Sequence, residues 1–200
     1  LSIYDSDGNL VRTIENKEDR PENRGFQNIL DRLLYVESGI PVPEELAWDG
    51  RSNAGDRVED GRYSFELTAV DDNGNVGSSG RQEFVVDATA PTVELTVPED
   101  PNALIFSPND DGNKDVLPVG QRGSAEDNWI GSVYDAGDNL VRRVTWEGAP
   151  ADFAWDGRND EGILVPDGVY RYEIRTTDRA GNSAVATGEN TLVGTGPTPI

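Results

Sequence analysis

Residues 105–119 read IFSPNDDGNKDVLPV, and within them Asn109, Asp111, Asn113 and Asp115 stand two apart around Gly112. Oxygen-bearing side chains alternating about a turn-forming glycine are how short loops wrap calcium, a hard cation that takes oxygen ligands. The spacing departs from an EF-hand, which would place glycine at the sixth loop position and glutamate at the twelfth. The same residues suit an Asx-rich turn, whose side chains cap backbone N–H groups ahead of a strand beginning at DVLPV. Calcium is therefore the one cofactor the sequence raises, with a metal-free turn as the alternative. Asp156, Asn159 and Asp160 form a weaker cluster that reads as turn chemistry.

Other chemistry is constrained by what is missing. The chain has no Cys and no His. That removes disulfides, thiol nucleophiles and Cys-based zinc sites, together with the commonest general base. No GxxxxGK[ST] phosphate loop occurs. Glycoside hydrolysis needs only two carboxylates, but 38 acidic residues in a chain of 200 make neighbouring carboxylates the background. The expectation is no enzyme, with no catalytic or cofactor-binding residue. A binding alternative, a carbohydrate-binding accessory module of a secreted enzyme, would need coplanar exposed aromatics. Trp129, Trp146 and Trp155 are the candidates for that platform.

The formal net charge of −21 sets 38 Asp and Glu against 15 Arg and 2 Lys. Such a surface repels phosphate backbones and anionic bilayers, so neither nucleic acid nor membrane insertion is expected. No apolar run approaches the ~18 residues a spanning helix needs. The acidity suits an extracellular, cell-surface or periplasmic protein. Its partners would be neighbouring domains of the same polypeptide and an envelope protein or glycan. With neither a starting Met nor a signal peptide, the chain reads as an interior piece of a longer polypeptide.

The elements that would position these residues are written twice. WDGRSNAGDRVEDGRYSFELTAVDDNGN (48–75) and WDGRNDEGILVPDGVYRYEIRTTDRAGN (155–182) align without a gap and share 13 of 28 positions, 107 residues apart. A catalytic site rarely needs duplication; a module strung in series does. GVYRYEIRTT (168–177) and GRYSFELTAV (61–70) alternate with period two, the pattern of half-buried antiparallel strands. Asp-Gly before each and Gly-Asn after each supply turns. Trp48 and Trp155 are expected to close a preceding strand and plug one end of a sandwich. YDSDGNLVR (4–12) and YDAGDNLVR (134–142) read as matching hairpins at an offset of 130. The first copy thus carries about 23 extra residues, with Phe26, Ile29, Leu30, Leu33 and Leu34 on a helical stripe. That spacing predicts a helical insertion at about 23–38. VVDATAPTVELTVPED (85–100) reads as a last strand, a proline joint and a first strand, and Pro197–Thr198 echoes Pro91–Thr92.

WDGRNDEGILVPDGVYRYEI resembles the FlgD-type immunoglobulin-like repeat: Trp-Asp-Gly-Arg, a polar turn, Pro-x-Gly-x-Tyr and a strand. IFSPNDDGNKDVLPV is similar to the opening of Ig-like modules in gliding-motility-associated C-terminal regions of bacterial surface proteins. The resemblance implies an all-β chain of two tandem Ig-like β-sandwiches, 1–88 and 89–200, used as spacer or adhesion units. Because residue 1 aligns with 131, the first module lacks counterparts of 89–130, its opening strands. Those strands are expected upstream, with the inserted helix as a supplementary cover; strand donation by another copy is the alternative.

Overall fold

The computed structural model describes residues 1–16, 44–71, 74–96 and 100–193. They divide into two compact units, Leu1–Asp87 and Ala88–Ile200. The predicted helix at about 23–38 lies outside the described residues.

Unit 1 contributes β1 (Ser2–Tyr4), β2 (Leu10–Thr13), β3 (Gly61–Glu66), β4 (Thr68–Val70), β5 (Val76–Ser78) and β6 (Gln82–Val86). Four of them form an antiparallel sheet ordered β2-β1-β3-β6, and β4-β5 is a separate hairpin. The sequence reads 61–70 as one strand, but the structure breaks it at Leu67. Ser79 is the cause: its hydroxyl accepts from the Leu67 N–H at 3.0 Å, and its N–H donates to the Leu67 carbonyl at 2.9 Å. With both backbone groups of Leu67 held by one serine, the ladder is interrupted as in a bulge.

Unit 2 contributes β7 (Val93–Thr96), β8 (Ile105–Phe106), β9 (Leu117–Gly123), β10 (Glu126–Tyr134), β11 (Leu140–Gly148), β12 (Phe153–Trp155), β13 (Gly168–Thr177) and β14 (Ser183–Val193). One sheet is ordered β11-β10-β13-β14-β8 and the other β12-β9-β7. The pair β14–β8 is parallel, with Leu192 opposite Ile105 and Val193 opposite Phe106. Alternation sends Tyr170, Tyr172 and Ile174 inward from β13 to meet Leu117 of β9 and Trp155 of β12. Trp129 and Val133 of β10 and Phe106 of β8 complete this core. Each such side chain contributes roughly 1.5–3 kcal/mol by leaving water. The all-β, Ig-like sandwich expected from the sequence is thus present.

Trp155 ends a strand as expected, but Trp48 does not. Its segment, 46–48, is irregular, whereas the equivalent β12 pairs with β9 through Phe153–Val119 and Trp155–Leu117. An extended segment is a strand only where a neighbour completes its ladder. Among the described residues, unit 1 holds no counterpart of the β12-β9-β7 sheet.

Candidate functional site

The calcium-candidate loop folds as a web of Asx turns. Asn109 Oδ1 accepts from the Asp111 N–H at 3.1 Å, and Asp111 Oδ1 accepts from the Asn113 N–H at 2.8 Å. Asp115 Oδ2 accepts from the Gly112 N–H at 2.8 Å, and Asn109 Nδ2 donates to Asp111 Oδ2 at 3.0 Å. Asp110 and Lys114 are held at φ 62° and 56°, so the side-chain bonds stabilise a backbone that is uncommon outside glycine. Within this loop, Asp115 Oδ1 is buried without a hydrogen-bond partner. Among the described residues no three acidic groups gather as metal ligands usually do. A cation here would draw on Asp115 Oδ1, on Asp111, and on amide oxygens of Asn109 and Asn113.

This loop also lies against the repeated Trp-Asp-Gly-Arg turn. Trp155 Nε1 donates to the Arg158 carbonyl at 3.0 Å, Asp156 Oδ1 accepts from the Arg158 N–H at 3.1 Å, and Arg158 Nη1 donates to the Gly162 carbonyl at 3.2 Å. Trp155 and Asp156 thus both bond to Arg158, which reaches on to Gly162. Unit 1 repeats it: Trp48 Nε1 to the Arg51 carbonyl at 2.8 Å, Arg51 N–H to Asp49 Oδ1 at 3.2 Å, Arg51 Nη1 to the Gly55 carbonyl at 2.8 Å. In unit 2 the ring of Phe106 lies 5.6 Å from that of Trp155, and Arg158 sits 3.9 Å from Asp110. Asn159 and Asp160 are turn residues. Asn159 Oδ1 accepts from the N–H groups of Glu161 and Ile163 at 3.0 and 2.9 Å, and Asp160 Oδ1 accepts from the Arg143 N–H at 3.0 Å.

The aromatic candidates for a sugar platform belong to the core instead. Trp129 is 0% and Trp155 1% exposed. Trp146 is half-buried and packs edge-on against Phe153 at 6.2 Å. Their spacing along the sequence gave no sign of which way each faces; burial does, and it removes the coplanar exposed platform that the carbohydrate reading needs.

Three structural residues went unread in the sequence. Arg142 Nη1 donates to the Asn159 carbonyl at 3.1 Å, and Arg12 Nη1 to the Ser52 carbonyl at 3.1 Å, so each guanidinium ties a hairpin to the Trp-Asp-Gly-Arg turn. The repeated Asn-Leu-Val-Arg was the available signal. The third is Gln121, 3% exposed, whose Oε1 accepts from the Tyr172 hydroxyl at 2.8 Å. Burial holds that hydroxyl's pKa above its ordinary value, the hydrogen bond to Gln121 opposing.

Surface carboxylates at the hairpin turns titrate low. Asp5, Asp135 and Asp178 are held below the usual carboxylate range chiefly by side-chain bonds from Asn9, Asn139 and Asn182. Hydrogen bonds to the charged form favour it. These shifts mark turn caps rather than proton-transfer groups.

No curated protein matches the chain. Among solved structures it is similar to dimeric latent PorU from Porphyromonas gingivalis, at 17% identity and a TM-score of 0.40, over 70% of this chain and 13% of that one. The chain therefore spans only a small part of that protein's length. The FlgD Ig-like domain model matches residues 122–180, the second copy of the Trp-Asp-Gly-Arg segment with the hairpin before it, and so the resemblance to FlgD-type Ig-like modules holds over that stretch.

Proposed function

We propose that the chain is a non-catalytic structural and interaction segment of a larger bacterial cell-surface or envelope protein, two Ig-like units in series acting as spacer or adhesion unit. One observation carries this: the residues common to both copies are engaged in the same intra-unit bonds. Trp and Asp of each turn both bond to its Arg, and Tyr63 and Tyr170 donate alike to the carbonyls of Glu59 and Pro166, each at 2.8 Å. What is repeated is scaffold. Pulling single molecules tests it. Two discrete unfolding events of unequal length are expected, because strands sheared against their neighbours resist force. Extension without any rupture event refutes the spacer.

Calcium stabilisation is a second reading, favoured by one observation, the buried and unpartnered Asp115 Oδ1. Calcium bound only to the native state raises its melting temperature by mass action. Millimolar calcium is expected to raise the unit 2 transition and Asp115→Asn to abolish the rise. No shift leaves the loop as a metal-free turn.

A further inference from the structure

Unit 1 presents one face of a sandwich whose opposite layer is missing among the described residues, and unit 2 shows what that layer looks like. Position by position, Trp48, Tyr63, Phe65 and Leu67 stand where Trp155, Tyr170, Tyr172 and Ile174 stand, each 107 residues on. In unit 2 those four are at most 5% exposed. In unit 1 the three aromatics are half-buried and Leu67 is 43% exposed. The unit 1 aromatics still cluster: Trp48 lies 5.9 Å from Tyr63 and 5.7 Å from Phe84, and Phe65 lies 6.1 Å from Phe84. A sheet face this aromatic is built to be covered.

The cover in unit 2 comes from the residues that precede the position equivalent to Leu1. Phe106 packs against Trp155, their rings tilted at 59°, and Leu117 of β9 pairs opposite Trp155; Val93, Leu95 and Val119 pack against the same core. All lie within 89–130, and Gly131 is the equivalent of Leu1 by the offset of 130 between the two hairpins. Leu1 is already in ladder geometry, donating to the Ile14 carbonyl at 2.9 Å and accepting from the Ile14 N–H at 2.8 Å.

We propose that the Trp48–Tyr63–Phe65–Phe84 face is the acceptor for a pair of antiparallel strands of the β7/β9 kind, delivered in cis by polypeptide leading into Leu1. The chemistry of the incoming pair can be specified further. In unit 2 the Tyr172 hydroxyl requires Gln121 as its buried acceptor. Phe65 at the same place has no hydroxyl, so the strand opposite it carries an apolar side chain where β9 carries Gln121. Leu46–Trp48, irregular now, becomes the counterpart of β12 once that strand supplies its ladder.

The test places residues 89–130 of this chain, with Gln121→Leu, directly ahead of Leu1 of the full chain. Hydroxyl-radical footprinting read by mass spectrometry then reports Trp48 and Phe65, with Trp155 and Tyr172 as internal standards. In the chain as it stands, Trp48 is expected to be modified several-fold faster than Trp155. With the leader attached, Trp48 and Phe65 fall to the level of Trp155 and Tyr172. The same leader carrying Leu95→Asp and Val119→Asp gives no such protection. Equal modification with the two leaders overturns the proposal. So does protection of Trp48 in the unextended chain, whether as a dimer, which assigns the face to a second copy, or as a monomer, which shows it already covered.

Discussion

Tyr172→Phe removes one oxygen from the middle of unit 2 and leaves the Gln121 carbonyl oxygen facing Phe in a site that water does not reach. Tyr172 is 5% and Gln121 3% exposed. The net value of an intramolecular hydrogen bond is about 1 kcal/mol, but a buried partner left unsatisfied costs about 1–3 kcal/mol. A loss of about 2 kcal/mol is expected for Tyr172→Phe. For a unit the size of Ala88–Ile200, that lowers the melting temperature by roughly 8 °C, at roughly 4 °C per kcal/mol. Gln121→Leu costs at least as much, because it strands the Tyr172 hydroxyl and also the Ala151 carbonyl that Gln121 Nε2 serves. The double variant costs clearly less than the sum, since neither polar partner remains to go unpaired, and the coupling is about 1 kcal/mol or more. Calorimetry on the four proteins measures it, with Phe65 in unit 1 as the natural example of the tyrosine-free state. A Tyr172→Phe shift under about 2 °C, or strict additivity, refutes the claim that this buried pair is coupled.

High pH gives a second measurement on the same group. A raised folded pKa means tyrosine stability is full below the unfolded value and is lost as pH rises past it. Unit 2 should therefore weaken above about pH 10, and less steeply in Tyr172→Phe. At the acid end the sign reverses for Asp5, Asp135 and Asp178, whose folded pKa values are lowered. Their contribution is present above the ordinary carboxylate pKa and disappears as pH falls through the depressed ones, so Asp178→Asn should flatten the acid limb of the unit 2 stability curve. Gly157 and Gly50 are equivalent, at φ 68° and 72°, but a Cβ on Gly157 would lie 2.6 Å from Pro108 Cγ, and one on Gly50 would meet nothing within 4 Å. Alanine at Gly50 should cost about 1–2 kcal/mol from the left-handed backbone alone, and at Gly157 about 3 kcal/mol or more once overpacking is added. Urea melts of both variants decide it; equal losses would sink the packing explanation. Toward esters, peptides and common polysaccharides the chain should be inert, and turnover lost on mutating one carboxylate pair would overturn that.

Period-two alternation placed β13 and the start of β3 correctly because it reflects which face of a strand leaves water, and the Gly/Asn/Asp turns placed both hairpins; both are local properties. The break at Leu67 was not legible, because it depends on Ser79, which lies 12 residues on, between β5 and β6. Trp48 was misplaced for a related reason: its sequence is strand-like, but a strand exists only with a neighbour, and unit 1 offers none there among the described residues. In the candidate loop the sequence showed which oxygen-bearing residues are present. The direction of each oxygen, toward a backbone N–H in most cases and buried without a partner for Asp115 Oδ1, required three dimensions. The aromatic platform failed for the same reason, since spacing does not say that Trp129 and Trp155 point inward.

The parallel pairing of β8 with the end of β14 has a kinetic consequence. Among the described residues, β8 pairs with β14 alone, Ile105 opposite Leu192 and Phe106 opposite Val193. A chain made or threaded from its N-terminus must therefore carry β8 with an open edge until nearly all of unit 2 has emerged. Contacts so distant in sequence close slowly, because the loop entropy is lost before the pairing is gained. Until that last strand docks, the backbone edge of β8 stays unpaired, and that interval is when unit 2 is most exposed to association with other chains. A ribosome-stalled or truncated chain ending before residue 192 should therefore carry β8 unpaired, its edge open to other chains.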